Sequence, residues 1–321
     1  MAERLGVSQA LVSRALSGRA GEIGASGETV ERIRRMAAEW NYQPSATALA
    51  LLGASTRTVG VVVKNFDDPY FGSLIGALQA LARANRYSLL LTGPGGDDIS
   101  GLQRHRVDAV IFAGSDFPPK VPPAMECAIQ IGTGKVLPGA LQIQMDEAAG
   151  IDGIVDYLAG LGHREIGFVA SREGSNQRRA ALLRNSLRSR NLPARDKSFF
   201  VVSGNHGDGA ESVVQTLSGL SRMPTALLAA EDSIALSLLR IFHGAGLRVP
   251  GDLSIVGIDD IPASCQAFPP LTTLRQPIGE MASAAFSAVL GRLRKSVSIP
   301  GKLIVRESCG PVRPDTPIPR I

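Results

Sequence analysis

The stretch Gly6-Val-Ser-Gln-Ala-Leu-Val-Ser-Arg-Ala-Leu-Ser17 has two different faces when it is wound as a helix with Ser8 as N-cap. One arc carries the apolar residues Leu11, Val12, Ala15 and Leu16. The opposite arc carries Gln9, Ala10, Ser13, Arg14 and Ser17. Gly6 permits a tight turn from a preceding helix. A short helix that presents Gln and Arg after such a turn is typical of a helix-turn-helix, which places this helix in the DNA major groove.

A second amphipathic helix is predicted over residues 27–40, where apolar residues recur at helical spacing after Ser26: Val30, Ile33, Ala37 and Trp40. It would complete a three-helix unit. Asn41-Tyr42-Gln43-Pro44 then breaks the chain, because proline disfavours a helical residue before it. Residues 45–52 are rich in helix formers, but so short a helix is marginal alone. We expect it to fold only when something packs on it, as a conditional hinge does.

From residue 58 onward, patterns typical of strands and helices alternate, which predicts a doubly wound α/β architecture. The predicted strands are 58–64, 88–92, 109–113, 141–145, 165–170, 225–229 and 253–258. The predicted helices are 71–84, 147–161, 176–190, 209–220, 232–245 and 277–294. About 260 residues of this pattern suggest two subdomains, with a ligand in the cleft between them at the carboxyl ends of strands.

Composition restricts the class of protein. The net charge of +5 is compatible with nucleic-acid binding, though it does not demand it. Three widely spaced cysteines argue against a disulfide framework or a metal cluster and fit a reducing cytoplasm. The sequence has neither a secretory signal nor an apolar run long enough to span a membrane. It predicts no cofactor, metal or catalytic residue.

Motifs along the chain resemble those of the lac repressor/galactose repressor family. Gly6–Ser17 is similar to its headpiece, and Tyr42-x-Pro44 with Ser45-Ala46 is similar to the start of its hinge. Further similar segments follow in the same order: Asp68–Phe71, Leu161–Arg164, Gly246–Asp252 with Gly257–Asp260, Pro270–Pro277 and, as the last strand, Ile304–Ser308. Each is short, but their order over some 300 residues is specific.

The resemblance implies a small all-α helix-turn-helix headpiece, a hinge and a two-subdomain effector domain of the periplasmic-binding-protein-like type. We expect the headpiece at residues 1–43, the hinge at 44–57 and the effector domain at 58–321. Within the effector domain, one subdomain would comprise about 58–161 and 276–300, and the other about 162–275 and 301–321. The implied protein is a cytoplasmic, dimeric repressor of a pseudo-palindromic operator, switched by a small molecule.

The resemblance also implies which residues contact DNA. Gln9, Ala10 and Arg14 occupy base-reading positions, and Ser8 and Ser13 would contact phosphates. Arginine can donate two hydrogen bonds to guanine, which discriminates bases by about 1–3 kcal/mol. In the hinge, Leu51 matches a leucine that the family inserts between base steps to bend the minor groove.

The effector site is implied at residues near the carboxyl ends of strands: Tyr70, Phe71, Asp146, Arg179, His206, Glu231 and Asp259. Carboxylates accept hydrogen bonds from vicinal hydroxyls and arginine donates them, which suits a sugar, a sugar acid or a similar polyol. Glu231 stands where asparagine is frequent, and Arg178 beside Arg179 suggests an acidic effector.

Two alternative functions remain open at this point. A bilobed sugar-binding transport protein would need a secretion signal and no headpiece. An α/β enzyme is disfavoured, because the glycine-rich turn at residues 93–96 lacks the Gly-x-Gly-x-x-Gly spacing of dinucleotide-binding sites. The leucine stripe Leu74, Leu78 and Leu81 fits a dimer interface and a buried core equally well.

The start of the chain carries one further hypothesis. Met1 falls inside what should be the first helix of the headpiece, where the family often has Val-Ala in place of Met1-Ala2. GUG encodes valine within a gene but is read as Met when it is taken as the start codon. The hypothesis is therefore that Met1 is an internal valine codon and that translation naturally begins upstream. A third possibility is then a chain that binds effector but not DNA.

Overall fold

The computed structural model describes residues 1–16, 25–40, 42, 55–95, 101–117, 127–172, 174–202, 211–220 and 222–312. Three helices come first: α1 (Ala2–Leu5), α2 (Gln9–Leu16) and α3 (Gly27–Glu39). Gly6 ends α1 with a φ of 65°, so it supplies the left-handed residue that the turn into α2 requires. Ser26 caps α3, since its side chain accepts a hydrogen bond from the Thr29 amide.

The N-terminal helices enclose an apolar cluster of their own, formed by Val12, Ala15, Val30 and Ile33. Leu11 and Leu16 pack at its edge, which confirms the inward arc predicted for α2. Trp40 was predicted on the buried stripe of α3 but is 46% exposed, because it lies just beyond the last residue of that helix.

The rest of the described chain alternates strands and helices, as predicted. The strands are β1 (Thr58–Val63), β2 (Ser88–Thr92), β3 (Ala109–Ala113), β4 (Ala128–Ile131), β5 (Ala140–Asp146), β6 (Ile166–Ala170), β7 (Phe199–Val201), β8 (Ala226–Ala229), β9 (Ser254–Asp259), β10 (Thr272–Arg275), β11 (Val297–Pro300) and β12 (Lys302–Ile304). The helices are α4 (Pro69–Ala84), α5 (Glu147–Gly160), α6 (Gly174–Ser189), α7 (Glu211–Ser218), α8 (Asp232–Gly244) and α9 (Ile278–Val289).

The strands form two six-stranded sheets. The first has the order β11-β5-β4-β3-β1-β2, and the second has the order β12-β10-β9-β8-β6-β7. Neighbouring strands are parallel except β12, which is antiparallel to β10. In both sheets the middle strands are buried along their whole length, as the apolar sequence of β3 and the largely apolar sequence of β9 favour.

We call the first sheet with α4 and α9 the first lobe, and the second sheet with helices α5 to α8 the second lobe. The chain crosses between the lobes three times: from β5 to α5, from β10 to α9 and from β11 to β12. Residues of α5 were expected in the first subdomain. The structure instead buries Ile151, Ile154 and Leu158 of this helix in the core of the second lobe. The first crossing therefore lies at Asp146–Glu147.

The leucine stripe of α4 belongs to the core of the first lobe. Leu74 and Leu78 are fully buried in the cluster that includes Val59 and Phe286, and Leu81 packs at its edge. Core packing is therefore sufficient to explain this spacing.

The last strand lies slightly earlier than the resemblance implied. It ends at Ile304, and the following residues attach to the second sheet through both backbone and side-chain hydrogen bonds. The Thr272 hydroxyl accepts from the Arg306 amide at 2.9 Å, and the Ser308 hydroxyl donates to the Ile255 carbonyl at 2.6 Å. These contacts hold the segment 305–308 without a regular ladder.

Candidate functional site

A cavity lies where the two lobes face each other, with about 780 Å³ of empty space that includes its opening to solvent. Its walls come from residues at or just after the carboxyl ends of parallel strands, the usual place for a ligand in such sheets. The first lobe contributes Lys64, Tyr70, Phe71, Ser115 and Thr133, and the second contributes Glu147, Ser171, Arg179, Glu231 and Asp259. Gln276, in the second crossing, completes the wall.

A buried ion pair forms the charged base of this cavity. Arg179, on the second turn of α6, donates from Nε to Glu147 Oε1 at 2.8 Å and from Nη1 to the Ala230 carbonyl at 2.6 Å. Arg179 is 7% exposed and Glu147 only 1%. Burial opposes the charge, but the carboxylates of Glu147, Asp259 and Glu231 raise the pKa of Arg179 above its ordinary value. The guanidinium thus stays charged among carboxylates.

Asp259 ends β9 in an unusual backbone conformation, with a φ of 125°. Its Oδ1 accepts from Gln276 Nε2 at 2.6 Å, which ties the second lobe to the crossing segment. Burial raises the pKa of Asp259 well above its ordinary value, although Arg179 opposes this shift. A non-glycine residue with such a φ is strained, and strain of this kind is often found at functional sites.

Glu231 is the residue immediately before α8, and it lines the cavity. Its Oε1 accepts from Asn176 Nδ2 at 2.9 Å, and the same amide donates to Ser171 Oγ at 2.8 Å. Asn176 is fully buried, so it holds this carboxylate in a fixed position. Glu231 therefore presents an oriented, partly accessible carboxylate.

Aromatic rings supply the apolar wall on the first lobe. Tyr70 and Phe71 open α4, where Asp68 Oδ1 accepts from the Tyr70 amide and Pro69 is the first helical residue. The two rings meet edge to face, with centroids 5.1 Å apart. Burial and the Asp259 carboxylate raise the pKa of Tyr70, which keeps its hydroxyl neutral. Such a wall suits the apolar face of a sugar ring.

Asp232 braces the second lobe directly behind the cavity. It is fully buried and accepts three hydrogen bonds, from the Ile261 amide at 3.0 Å and from the Ser264 and Thr273 hydroxyls at 2.6 Å each. Burial raises its pKa to about 6, while those three hydrogen bonds lower it. This carboxylate connects α8, the turn after β9 and β10, and so positions the neighbouring Asp259.

The structure gathers most of the residues predicted for the effector site. Five of them line the cavity together: Tyr70, Phe71, Arg179, Glu231 and Asp259. Asp146 is not among the lining residues, and its carboxylate instead caps α5 by accepting from the Ala149 amide at 3.1 Å. His206 lies outside the described residues.

Residues beside the predicted ones also reach the cavity. Glu147 takes the place expected for its neighbour Asp146, and Lys64, Asp68 and Gln276 were not singled out. For Lys64 and Gln276, which directly follow β1 and β10, the strand end was the one available signal, and it applies to every residue within one or two positions of a strand end. Asp68 lies five residues after β1 and lacked even that signal. Arg178 pairs with the Glu147 carboxylate, Nε lying 3.6 Å from Oε2, so its charge is already matched.

The surface expected to contact DNA is open on α2. Gln9, Ala10 and Arg14 are exposed and Ser13 is half-buried. The Ser8 hydroxyl accepts from the Leu11 amide at 3.1 Å and so caps the helix, as predicted. Leu51 lies outside the described residues, as does most of the expected hinge.

The described ranges of the chain contain no helix both long and apolar enough to cross a membrane. Across the same ranges, no three His, Cys, Asp or Glu side chains are grouped so that they could hold a metal ion.

Comparisons with known proteins agree with this architecture. Residues 155–309 match the family described as periplasmic binding protein-like domain. The ribose operon repressor of Haemophilus influenzae is 28% identical over 297 residues, an alignment that covers 88% of this chain and 89% of that repressor. The transcriptional regulator GalS of Salmonella typhimurium is 29% identical over 309 residues, an alignment that covers 90% of this chain and 88% of that regulator.

A solved structure shows the same fold over almost the whole chain. The lac repressor dimer bound to operator and the anti-inducer ONPF matches with a TM-score of 0.78 at 24% identity, covering 96% of this chain and 97% of that one. Helices precede two α/β lobes in this chain, and curated regulators align with most of its sequence. The chain is therefore similar, over most of its length, to regulators of the lac repressor/galactose repressor type.

Proposed function

We propose that this protein is a cytoplasmic, ligand-responsive repressor of transcription, which binds a pseudo-palindromic operator as a dimer and is switched by a small sugar-like effector. The observation that carries the proposal is the presence, in one chain, of an exposed Gln/Arg helix and a cavity walled by oriented carboxylates, an arginine and aromatic rings. Curated relatives that align with most of the chain are regulators by name, which favours this function over an enzyme.

On the DNA side, the packing of α2 determines what it can offer. Its apolar arc is fixed against α3, so the exposed arc projects as one unit. Arg14 would read guanine, with Gln9 and Ala10 contacting adjacent base edges. Ser8 and Ser13 would contact phosphates and fix the register, and Leu51 would wedge a base step in the minor groove.

On the effector side, the cavity offers acceptors at Glu231 and Asp259, a donor at Arg179 and a ring face at Tyr70 and Phe71. This combination suits the hydroxyls and the apolar face of a polyol. A ligand here would touch both lobes, so its binding would favour one relative arrangement of the lobes over another. We propose that His206 contributes to the site as well.

The test starts by selecting binding sites from random duplex DNA with the full-length protein and measuring its affinity for the enriched sequence. The Arg14→Ala variant should bind that sequence about 5- to 150-fold more weakly, since a bidentate Arg–guanine contact is worth about 1–3 kcal/mol. Its affinity for unrelated DNA should fall much less.

Arg35→Ala is the matched control, because Arg35 is also exposed but lies on α3. It should change the affinities for selected and unrelated DNA by the same factor. Failure to enrich any sequence would remove the proposed function. Equal losses on both DNAs for Arg14→Ala would remove its role in base reading.

A further inference from the structure

The charged side chains around the cavity are mostly acidic. Four carboxylates line it, those of Asp68, Glu147, Glu231 and Asp259. The lining contains two basic side chains, Lys64 and Arg179. Formally these lining side chains carry an excess of two negative charges before any ligand enters, and Arg178, which pairs with Glu147 from outside the lining, reduces the excess to one. An anionic ligand would add like charge inside a partly desolvated space, which disfavours its binding.

The arginines of α6 are already engaged by protein acceptors. Arg179 donates to Glu147 Oε1 and to the Ala230 carbonyl, at 2.8 and 2.6 Å. Arg178, which would have suggested an acidic effector, lies 3.6 Å from Glu147 Oε2. The positive charge at this side of the cavity is thus matched by Glu147, and a ligand carboxylate would have to compete with that residue.

Two carboxylates of the second lobe are held by amides rather than by cations. Glu231 accepts from Asn176 Nδ2 at 2.9 Å, and Asp259 accepts from Gln276 Nε2 at 2.6 Å. Among the described residues, neither forms an ion pair closer than 4.0 Å with a basic side chain. An amide orients a carboxylate without bringing a positive charge to it.

One buried acceptor directly requires a donor. Glu147 is 1% exposed, and its Oε2 has no hydrogen-bond partner within the described part of the chain. The Arg178 Nε at 3.6 Å from it lies beyond hydrogen-bond distance. A buried charged acceptor without a donor is costly, so a ligand N–H or O–H that reaches Oε2 gains stability that the protein alone lacks.

We propose that the effector is an amine-bearing polyol, that is, a sugar or alditol with one hydroxyl replaced by an ammonium group, and that Glu231 and Glu147 receive this group. The proposal rests on the proposed function, in that it takes this cavity as the effector site. An ammonium group suits the site because it brings three donors and one positive charge. The remaining hydroxyls would meet Arg179 and Asp259, and the ring would lie against Tyr70 and Phe71.

The experiment compares ligands that share a skeleton and differ in one group. Galactose, galactosamine and galacturonate form one series, and glucose, glucosamine and glucuronate form another. Binding to the full-length protein is measured by calorimetry. We expect the amine of at least one series to bind at least tenfold more tightly than its neutral partner, and the acid to bind most weakly.

Two variants locate the effect. Glu231→Gln keeps an oxygen for Asn176 but removes the charge, so the preference for the amine should fall to less than threefold. Glu211→Gln is the matched control, because Glu211 lies on α7 and pairs at 3.6 Å with Arg240, away from the cavity lining. It should leave the preference unchanged. Circular dichroism of each variant checks that it has folded.

Operator binding is measured in parallel, which separates the two proposals. A neutral or acidic ligand that binds as tightly as its amine, or a panel in which no amine binds, would overturn the inference. If such a ligand also changes operator affinity, the proposed function stands without the amine. An amine that binds with the expected preference and leaves operator affinity unchanged supports the ligand class and counts against the switch.

Discussion

The N-terminal helices depend on a very small core, so one substitution there should separate DNA binding from effector binding. Ile33 is fully buried in a cluster with Val12, Ala15 and Val30. Truncating a buried Ile to Ala lowers the free energy of unfolding by about 2–5 kcal/mol, because the removed apolar groups no longer contribute their transfer free energy and a cavity is left behind. A unit of some forty residues has a total stability of only about 2–6 kcal/mol at ordinary values per residue. The Ile33→Ala variant should therefore populate an unfolded headpiece substantially.

The chain contains a single tryptophan, Trp40, and it lies at the end of α3. The Arg4 guanidinium lies 5.5 Å from the centre of its ring, so the ring reports contact between α1 and α3. Urea unfolding followed by Trp40 fluorescence should reveal the headpiece alone, while far-ultraviolet circular dichroism is dominated by the two lobes. In Ile33→Ala, the fluorescence transition should move to lower urea and the dichroism transition should stay in place.

Operator affinity should fall with headpiece stability in the same variant, while effector affinity should remain that of the parent. Glu31→Ala is the control, because Glu31 is exposed on the same helix and only 3.8 Å from Arg34. Its effect should stay within about 0.5 kcal/mol. Unchanged fluorescence and operator affinity in Ile33→Ala would refute the reasoning that this cluster holds the headpiece together.

Three further predictions concern the lobes. Asp232 has a folded pKa of about 6 against an ordinary 3.8, so its protonated form stabilises the fold below about pH 4 and this contribution is lost as pH rises to about 6. Relative to the parent, the Asp232→Asn variant should therefore gain up to about 3 kcal/mol in free energy of unfolding between pH 4 and 6.5, measured by thermal unfolding. A stability difference that does not change with pH would contradict the buried charge. In α5, the Cβ added by Gly153→Ala would enter open space, so this variant should be more stable than the parent by about 0.5–1 kcal/mol. The Cβ added by Gly150→Ala would lie 2.5 Å from Leu274 Cδ2, so this variant should be less stable. Equal midpoints of urea unfolding for the two variants would refute this difference. Asp259→Asn should abolish the effector response and keep operator affinity, and a normal response in a DNA-release assay would place the site elsewhere.

Sequence patterns predicted long elements well and short ones poorly. The strand expected at 58–64 is β1, and the helix expected at 232–245 is α8, because sustained apolar runs and helical spacing extend over enough residues to be read. Strands of three or four residues, such as β7 and β11, were not predicted, because at that length no periodicity develops. They form because neighbouring strands supply their hydrogen-bond partners.

The candidate site shows the same limit at the scale of one residue. Asp146 and Glu147 are adjacent acids at a strand end, and the family resemblance implied the first. The direction in which α5 begins decides between them: Asp146 becomes its N-cap, and Glu147 turns into the cavity to meet Arg179. The partners of Glu231 and Asp259, Asn176 and Gln276, lie far away in sequence and were equally invisible.

The three crossings between the lobes also have a mechanical meaning. Glu147 is the first residue after one crossing, and Gln276 lies within another, where it donates to Asp259. The pivot about which the lobes would rotate is therefore built partly from the groups that touch the ligand. The same side chains would bind the ligand and guide the rotation of the lobes. Substitutions at these positions should therefore alter the affinity for the ligand and the size of the lobe rotation together. A mutation that changes which ligand is bound without changing the lobe rotation would have to lie on a wall of the cleft away from the crossings, such as at Phe71 or Thr133.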